Sequence, residues 1–337
     1  MEILKNIKKN TIIIILVTIL VMYFVLKKDF LLIIKNLQNL DIKYLLIALV
    51  CFFIYIILHS YAIYKTVNKK EKFSLKESIK HTMIVQFFNG ITPFSTGGQP
   101  MEIYMLSKHG ISISRASNYI LQNFVFYQIA LVILGIIAIL LNYKFHMFEQ
   151  NAVLRQIVLL GFIINTLVAA VLLFISLSKK TIFKVIKYIL KILYKINLIK
   201  DIDQENEKWI RRMNEFHECA DELKKKKSLF FLGIVLNFIG LIAWYSIPLF
   251  LAYSLGDFIS LNLMKSLTAS AYVMVAGSFI PIPGASGGIE YAFTKFFSNF
   301  LEKNKVATIL ILWRFITYYL GMILGAILFN FDKEKTN

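Results

Sequence analysis

Three ionisable side chains stand out because their surroundings are apolar: Glu102, Glu290 and Arg314. Each glutamate closely follows a Pro-x-x-x-Gly-Gly core. Pro93, Gly97 and Gly98 precede Glu102, and Pro283, Gly287 and Gly288 precede Glu290. A charge at membrane depth costs about 2.5–3.5 kcal/mol on insertion scales, so such a residue is expected to face a cavity or an opposite charge. A guanidinium matches phosphate oxygens bidentately, and a helix N-terminus offers unbonded amides and a positive dipole end to an anion. The chemistry this set could perform is recognition of a phosphate group. Arg314 has two readings: paired with Glu290 it is a structural lock, and unpaired it receives the phosphate.

The elements that must position these groups are interrupted helices. Proline removes a backbone donor and blocks the preceding turn, and paired glycines allow φ > 0. Four of the five prolines lie in the runs Thr92–Glu102 and Pro281–Glu290. Each run is read as a break between half-helices, with short helices starting after Gly98 and after Gly288 and the two glutamates in their first turns. Broken backbone in lipid persists only where protein buries it or where it lines a polar cavity, and matched breaks in two halves of a membrane protein point to a transport site. The candidate substrate-binding set is therefore Pro93, Ser95, Thr96, Gly97, Gly98, Gln99 and Glu102 in the first break, Pro283, Gly284, Ser286, Gly287, Gly288 and Glu290 in the second, and Arg314. The plainer reading is a pair of kinks in a passive bundle, with Ser95, Thr96 and Ser286 as helix caps.

Composition fixes the class. Hydrophobic residues make up 58% of 337 and mean hydropathy is +0.65, which predicts an all-α polytopic membrane protein. The formal charge of +18 does not signal nucleic acid, because the lysines crowd the loops between apolar runs as the positive-inside rule expects. Full spans are expected at about Thr11 to Leu26, Tyr44 to Tyr64, Ser117 to Leu141, Ala152 to Leu177, Leu229 to Tyr253 and Val306 to Asn330. His81 to Ile91, Met101 to Arg115, Asn262 to Ile280 and Ile289 to Phe300 are too short to cross, so they form two re-entrant hairpins. Six crossings place both termini, Lys70 and Lys225 in the cytoplasm, with the Gly256–Asn262 and Lys303–Lys305 loops outside. The hairpins then enter from opposite sides. A nearly constant offset between corresponding parts, as from Pro93 to Pro283, suggests an inverted repeat of about 44–141 and 229–330. A plain eight-helix bundle is the alternative.

Residues 178–228 form a basic cytoplasmic loop whose first part, Ile182 to Lys195, alternates apolar and lysine residues as a surface-lying amphipathic helix does. Gln86, Asn89, Gln122, Asn123, Tyr127, Gln128 and Asn237 could line a cavity or bridge helices, and bridging is the commoner role. The five histidines show no metal-ligand spacing and no nucleophile or phosphate-loop motif is present, so neither a catalytic residue, a metal nor a cofactor is expected. Cys51 and Cys219 do not suggest a disulfide.

Three stretches resemble one family. They are Gly90-Ile-Thr-Pro-Phe-Ser-Thr-Gly-Gly-Gln-Pro100, the Pro-x-Pro-Gly-x-x-Gly-Gly-x-Glu run ending at Glu290, and Arg314 followed by Tyr318-Tyr319-Leu-Gly321. Together they look like the transmembrane flippase region of bacterial lysylphosphatidylglycerol synthases, the multiple peptide resistance factors. The resemblance implies translocation of an anionic or aminoacylated phospholipid, such as lysyl-phosphatidylglycerol, or of a related polyprenyl-phosphate lipid, across a bacterial cytoplasmic membrane. It also implies links to lipid metabolism and antibiotic resistance, and leaves room for a homo-oligomer and for a separate synthase or glycosyltransferase partner. The lysyl-transferring synthase domain is not expected here, since only Phe331 to Asn337 follow the last span, so phosphatidylglycerol lysyltransferase activity is the weaker expectation. A secondary transporter for a small anion is the reading from a different class.

Overall fold

The computed structural model describes residues 35–67, 71–148, 152–195, 201–278 and 280–334. The expected first span, Lys70 and the extreme termini lie outside them. Among the described residues the chain is helical throughout and contains no strand. Five helices are long and apolar enough to cross a membrane, at Ile42–Thr66, Ile113–Phe145, Arg155–Phe174, Lys227–Ser254 and Lys303–Phe331.

The first half begins with α1 (Ile42–Thr66), started by the Asp41 side chain, which accepts from the Lys43 amide at 2.9 Å. Next comes α2 (Leu75–Ile91), opened by a reciprocal cap. The Glu77 amide donates to Ser74 Oγ at 3.2 Å and the Ser74 amide donates to Glu77 Oε2 at 2.6 Å, satisfying two amides that would otherwise be unbonded. A 3₁₀ turn at Pro93–Ser95 leads into α3 (Gly98–Lys108) and the long α4 (Ile113–Phe145). The second half repeats this order: α8 (Lys227–Ser254), α9 (Leu263–Gly277), a 3₁₀ turn at Pro283–Ala285, and α10 (Gly288–Phe297). The last crossing consists of α11 (Lys303–Arg314), a π-helical turn at Phe315–Tyr319 and α12 (Leu320–Glu334). Between the halves lie α5 (Ala152–Leu177), the amphipathic α6 (Lys179–Lys195) and the polar α7 (Ile202–Lys225).

Both short pairs are hairpins. At the end of α3 His109 returns to the start of α2, with Nδ1 3.5 Å from Glu77 Oε1 and its ring 5.3 Å from that of His81. At the end of α10 Phe300 returns to the start of α9, where Lys265 Nζ lies 5.2 Å from its ring centroid. With 11 residues in α3 and 10 in α10 at about 1.5 Å per residue, neither returning helix could cross a bilayer core about 30 Å thick. That length sets aside the plain eight-helix bundle.

The halves pair antiparallel. The Asp41 amide donates to the Ser254 carbonyl at 2.8 Å, the Tyr44 and Tyr253 rings meet at 5.6 Å, and His59 bonds Asn237 at 2.9 Å. Partners thus descend α8 as they ascend α1. The first hairpin opens beside the end of α1, where Ser78 Oγ donates to the Ser60 carbonyl at 2.7 Å. The second opens where α8 ends, beside the start of α1. Their 3₁₀ tips come from opposite ends and pack against each other in the middle. Packing is also exchange-symmetric: α2 lies against α12 as α9 lies against α4.

Candidate functional site

Where the tips meet there is a cavity of about 870 Å³. The first break and α3 contribute Phe94, Ser95, Thr96, Gln99 and Glu102, the second break Gly284 and Ala285, and the last crossing Arg314, Thr317 and Tyr318. Opposite walls come from Tyr55 and His59 on α1, Asn123, Tyr127 and Gln128 on α4, and Trp244 and Tyr245 on α8. From α5 come Asn165, Val168 and Leu172.

Arg314 is both paired and part of the wall. Its Nε donates to Glu290 Oε1 at 2.6 Å, and Nη2 donates to the Gly284 carbonyl at 2.8 Å while also lying 2.5 Å from the same Oε1. Both residues are almost fully buried. Glu290 Oε2 accepts the Gly287 amide at 2.6 Å, so this carboxylate caps α10 from within. The guanidinium packs 5.0 Å from the Tyr318 ring centroid. Tyr318 in turn donates its hydroxyl to the Gly90 carbonyl at 2.8 Å, which ties the last crossing to the first hairpin. The π-helical turn starts at the residue after Arg314, and such turns collect at functional sites.

The breaks differ from expectation in two respects. In the first, positive φ falls on Phe94 and Ser95, both at 54°, and Gly97 is right-handed at −79°. Glycine is needed there for room: a Cβ on Gly98 would overlap the Asn89 side chain. In the second break Gly284 and Gly287 do take positive φ, at 63° and 91°. The amides expected to be free for a phosphate are also occupied. Gly97 N–H donates to Thr92 Oγ1 at 2.9 Å, Gly98 N–H to Asn89 Oδ1 at 3.0 Å, and Gly287 N–H to Glu290. A membrane interior cannot leave amides open, and short side chains in the breaks satisfy them.

Of the expected residues, Ser95, Thr96, Gln99, Glu102, Gly284 and Arg314 share the cavity wall. Pro93, Gly97, Gly98, Pro283, Ser286, Gly287, Gly288 and Glu290 shape or support the breaks behind it. The hydroxyls of Thr96 and Ser286 donate locally, to Pro93 O at 2.9 Å and Pro283 O at 3.1 Å, whereas a cap would accept a helix amide; the residues at the cap positions are Gly97 and Gly287. Glu102 lies in the second turn of α3, not the first. Asn237 bridges α8 to α1 through His59 at 2.9 Å and also donates to Gly233 O of its own helix at 2.8 Å, while Gln122 bonds Asn118 within α4.

Sequence reading missed Tyr55, His59, Asn165, Trp244, Tyr245 and Tyr318. His59 was considered only as a metal ligand, yet its mid-span position was itself a signal. Asn237 Nδ2 is used on Gly233, so its Oδ1 faces His59 Nδ1, which carries the proton. His59 Nε2 then accepts from Asn123 at 3.4 Å.

This arrangement defines an all-α polytopic membrane protein built on two opposed helical hairpins. The family model for the lysylphosphatidylglycerol synthase TM region matches residues 11–325, and the chain belongs to that family. It is 25% identical over 273 residues to a UPF0104 membrane protein of Archaeoglobus fulgidus, covering 79% of each chain. It is 24% identical over 271 residues to an uncharacterized protein of Mycoplasma pneumoniae, an MG306 homolog, covering 75% of this chain and 68% of the other.

Proposed function

We propose that this protein moves a phospholipid with an anionic or aminoacylated headgroup, or a related polyprenyl-phosphate lipid, between leaflets of a cytoplasmic membrane. The observation carrying this reading is the cavity at the meeting point of the two hairpin tips, with Arg314 in its wall. Its volume suits a headgroup rather than a whole lipid. Acyl chains would remain in the bilayer beside α5, where Val168 lines the cavity yet is 41% exposed. Nε and Nη2 of Arg314 are held by protein, so Nη1 is the donor offered to phosphate. Lysine crowding around α6, α7 and the α2 start supports a cytoplasmic location for that side.

The test is reconstitution into phosphatidylcholine vesicles carrying fluorescent-tailed phosphatidylglycerol, lysyl-phosphatidylglycerol or a polyprenyl phosphate, with bleaching of the outer leaflet. At least one lipid should cross faster than in protein-free vesicles. If none does, the reading is wrong, and uptake of inorganic phosphate by the same vesicles would favour a small-anion transporter.

A further inference from the structure

We propose that Glu102 is the proton-carrying group of this cavity, so that an anionic headgroup crosses together with one proton; this rests on the lipid-transport reading above. Among the residues lining the cavity, Glu102 and Arg314 are the two that can carry full charge besides His59. Arg314 is already neutralised by Glu290 at 2.6 Å. His59 has both ring nitrogens engaged, by Asn237 at 2.9 Å and Asn123 at 3.4 Å.

Glu102 has no such provision. Its side chain is only 6% exposed, and its Oε1 is buried with no hydrogen-bond partner among the described residues. The charged groups on the neighbouring elements are committed elsewhere. On α2, Glu77 accepts from Ser74 at 2.6 Å and lies 3.5 Å from His109, while Lys80 and His81 have partners of their own. On α4, Arg115 pairs with Glu71 at 3.0 Å. Tyr127 adds a neutral phenol to the shared wall.

An ionised, unpartnered carboxylate at this depth is the costly state, so Glu102 takes up its proton before a headgroup binds and gives it up only on the exit side. With Glu102 protonated the cavity is electrically balanced and Arg314 Nη1 can receive a headgroup phosphate. With Glu102 ionised the cavity is net negative and repels it. One O–H bond forms from bulk water on the entry side and one breaks to bulk water on the exit side. A monoanionic headgroup and its proton then cross with no net charge moved, and no other reactant is required.

The experiment uses the full chain in phosphatidylcholine vesicles with fluorescent-tailed phosphatidylglycerol and a lumenal pH dye. Acid imposed on the side the lipid leaves should speed wild-type movement several-fold, with proton entry accompanying it. Glu102→Gln should show the same rate with and without the gradient, and Glu102→Asp should keep the response. A Glu102→Gln protein that responds as wild type does overturns the proposal, as does a wild type that moves lipid indifferently to the gradient. Infrared spectra give a second readout, a carbonyl band of a protonated carboxylic acid that Glu102→Gln removes and Glu290→Gln leaves. If no lipid moves, the transport reading fails, and that band alone still decides whether Glu102 holds a proton.

Discussion

At the scale of single residues, Arg314 was expected either to lock Glu290 or, unpaired, to bind phosphate, and the structure pairs it with Glu290. Nε and Nη2 hold Glu290 and the Gly284 carbonyl, while the guanidinium still belongs to the cavity wall. Arg314→Leu should abolish transport and destabilise the protein, because removing one partner of a buried pair costs about 3–5 kcal/mol; a lowered melting temperature in detergent checks this. Arg314→Lys keeps the charge but cannot reach Glu290, Gly284 and a phosphate at once. Losing one charge-assisted hydrogen bond of about 1.5–3 kcal/mol should slow flipping roughly ten- to a hundredfold, measured in the bleaching assay. Glu290→Gln should keep much of the fold, since an amide oxygen can still accept from Arg314. The pair itself was legible because two charges in apolar sequence need one another. Glu102's lack of a partner was not, since only packing shows which neighbours are already committed.

At the scale of elements, the Pro-x-x-x-Gly-Gly cores announced breaks but not what each glycine does. Local sequence says where a helix must stop. It cannot say that Phe94 and Ser95 will carry the left-handed backbone while Gly98 yields space to Asn89. Gly98→Ala should therefore separate the hairpin arms, at about 1–3 kcal/mol for overpacking, and impair transport more than membrane insertion. Gly287→Ala meets open space but would hold an L-residue at φ 91°, a backbone strain of about 1–3 kcal/mol, so its defect should be of similar size. Parallel flipping and insertion assays on both variants check this; equal, wild-type rates would remove the breaks from the mechanism.

At the scale of the whole molecule, the repeat was readable only as a spacing, because beyond the shared core the halves have no matching residues. The antiparallel α1–α8 pair supplies what spacing could not, since corresponding helices running in opposite directions leave hairpins entering from opposite ends. Cysteine labelling should find Lys225 accessible from the cytoplasm and Lys303 from outside. A cytoplasmic label at Lys303 would contradict the opposed hairpins. The loops on the Lys303 side are joined by Lys305 Nζ and Asp257 Oδ2 at 2.9 Å. Burial alone would raise the Asp257 pKa, but hydrogen bonds from Lys305 and Ser260 outweigh it and bring the group down to about 2 from 3.8. A depressed carboxylate stabilises the fold above its unfolded pKa and loses that contribution as pH falls through the folded value. Wild type should thus melt above Asp257→Asn at neutral pH, and the gap should close as pH drops from 3.8 toward 2.

The pairing of α1 with α8 also bears on how the chain is made. His59 finds Asn237 only 178 residues later, and the Gly90 carbonyl waits 228 residues for Tyr318. On the ribosome, the first half enters the bilayer before these two partners exist; His59 then has Asn123 of its own half but not Asn237. A premature stop before α8 should therefore leave a fragment that is degraded faster than the full chain, which pulse-chase labelling would show.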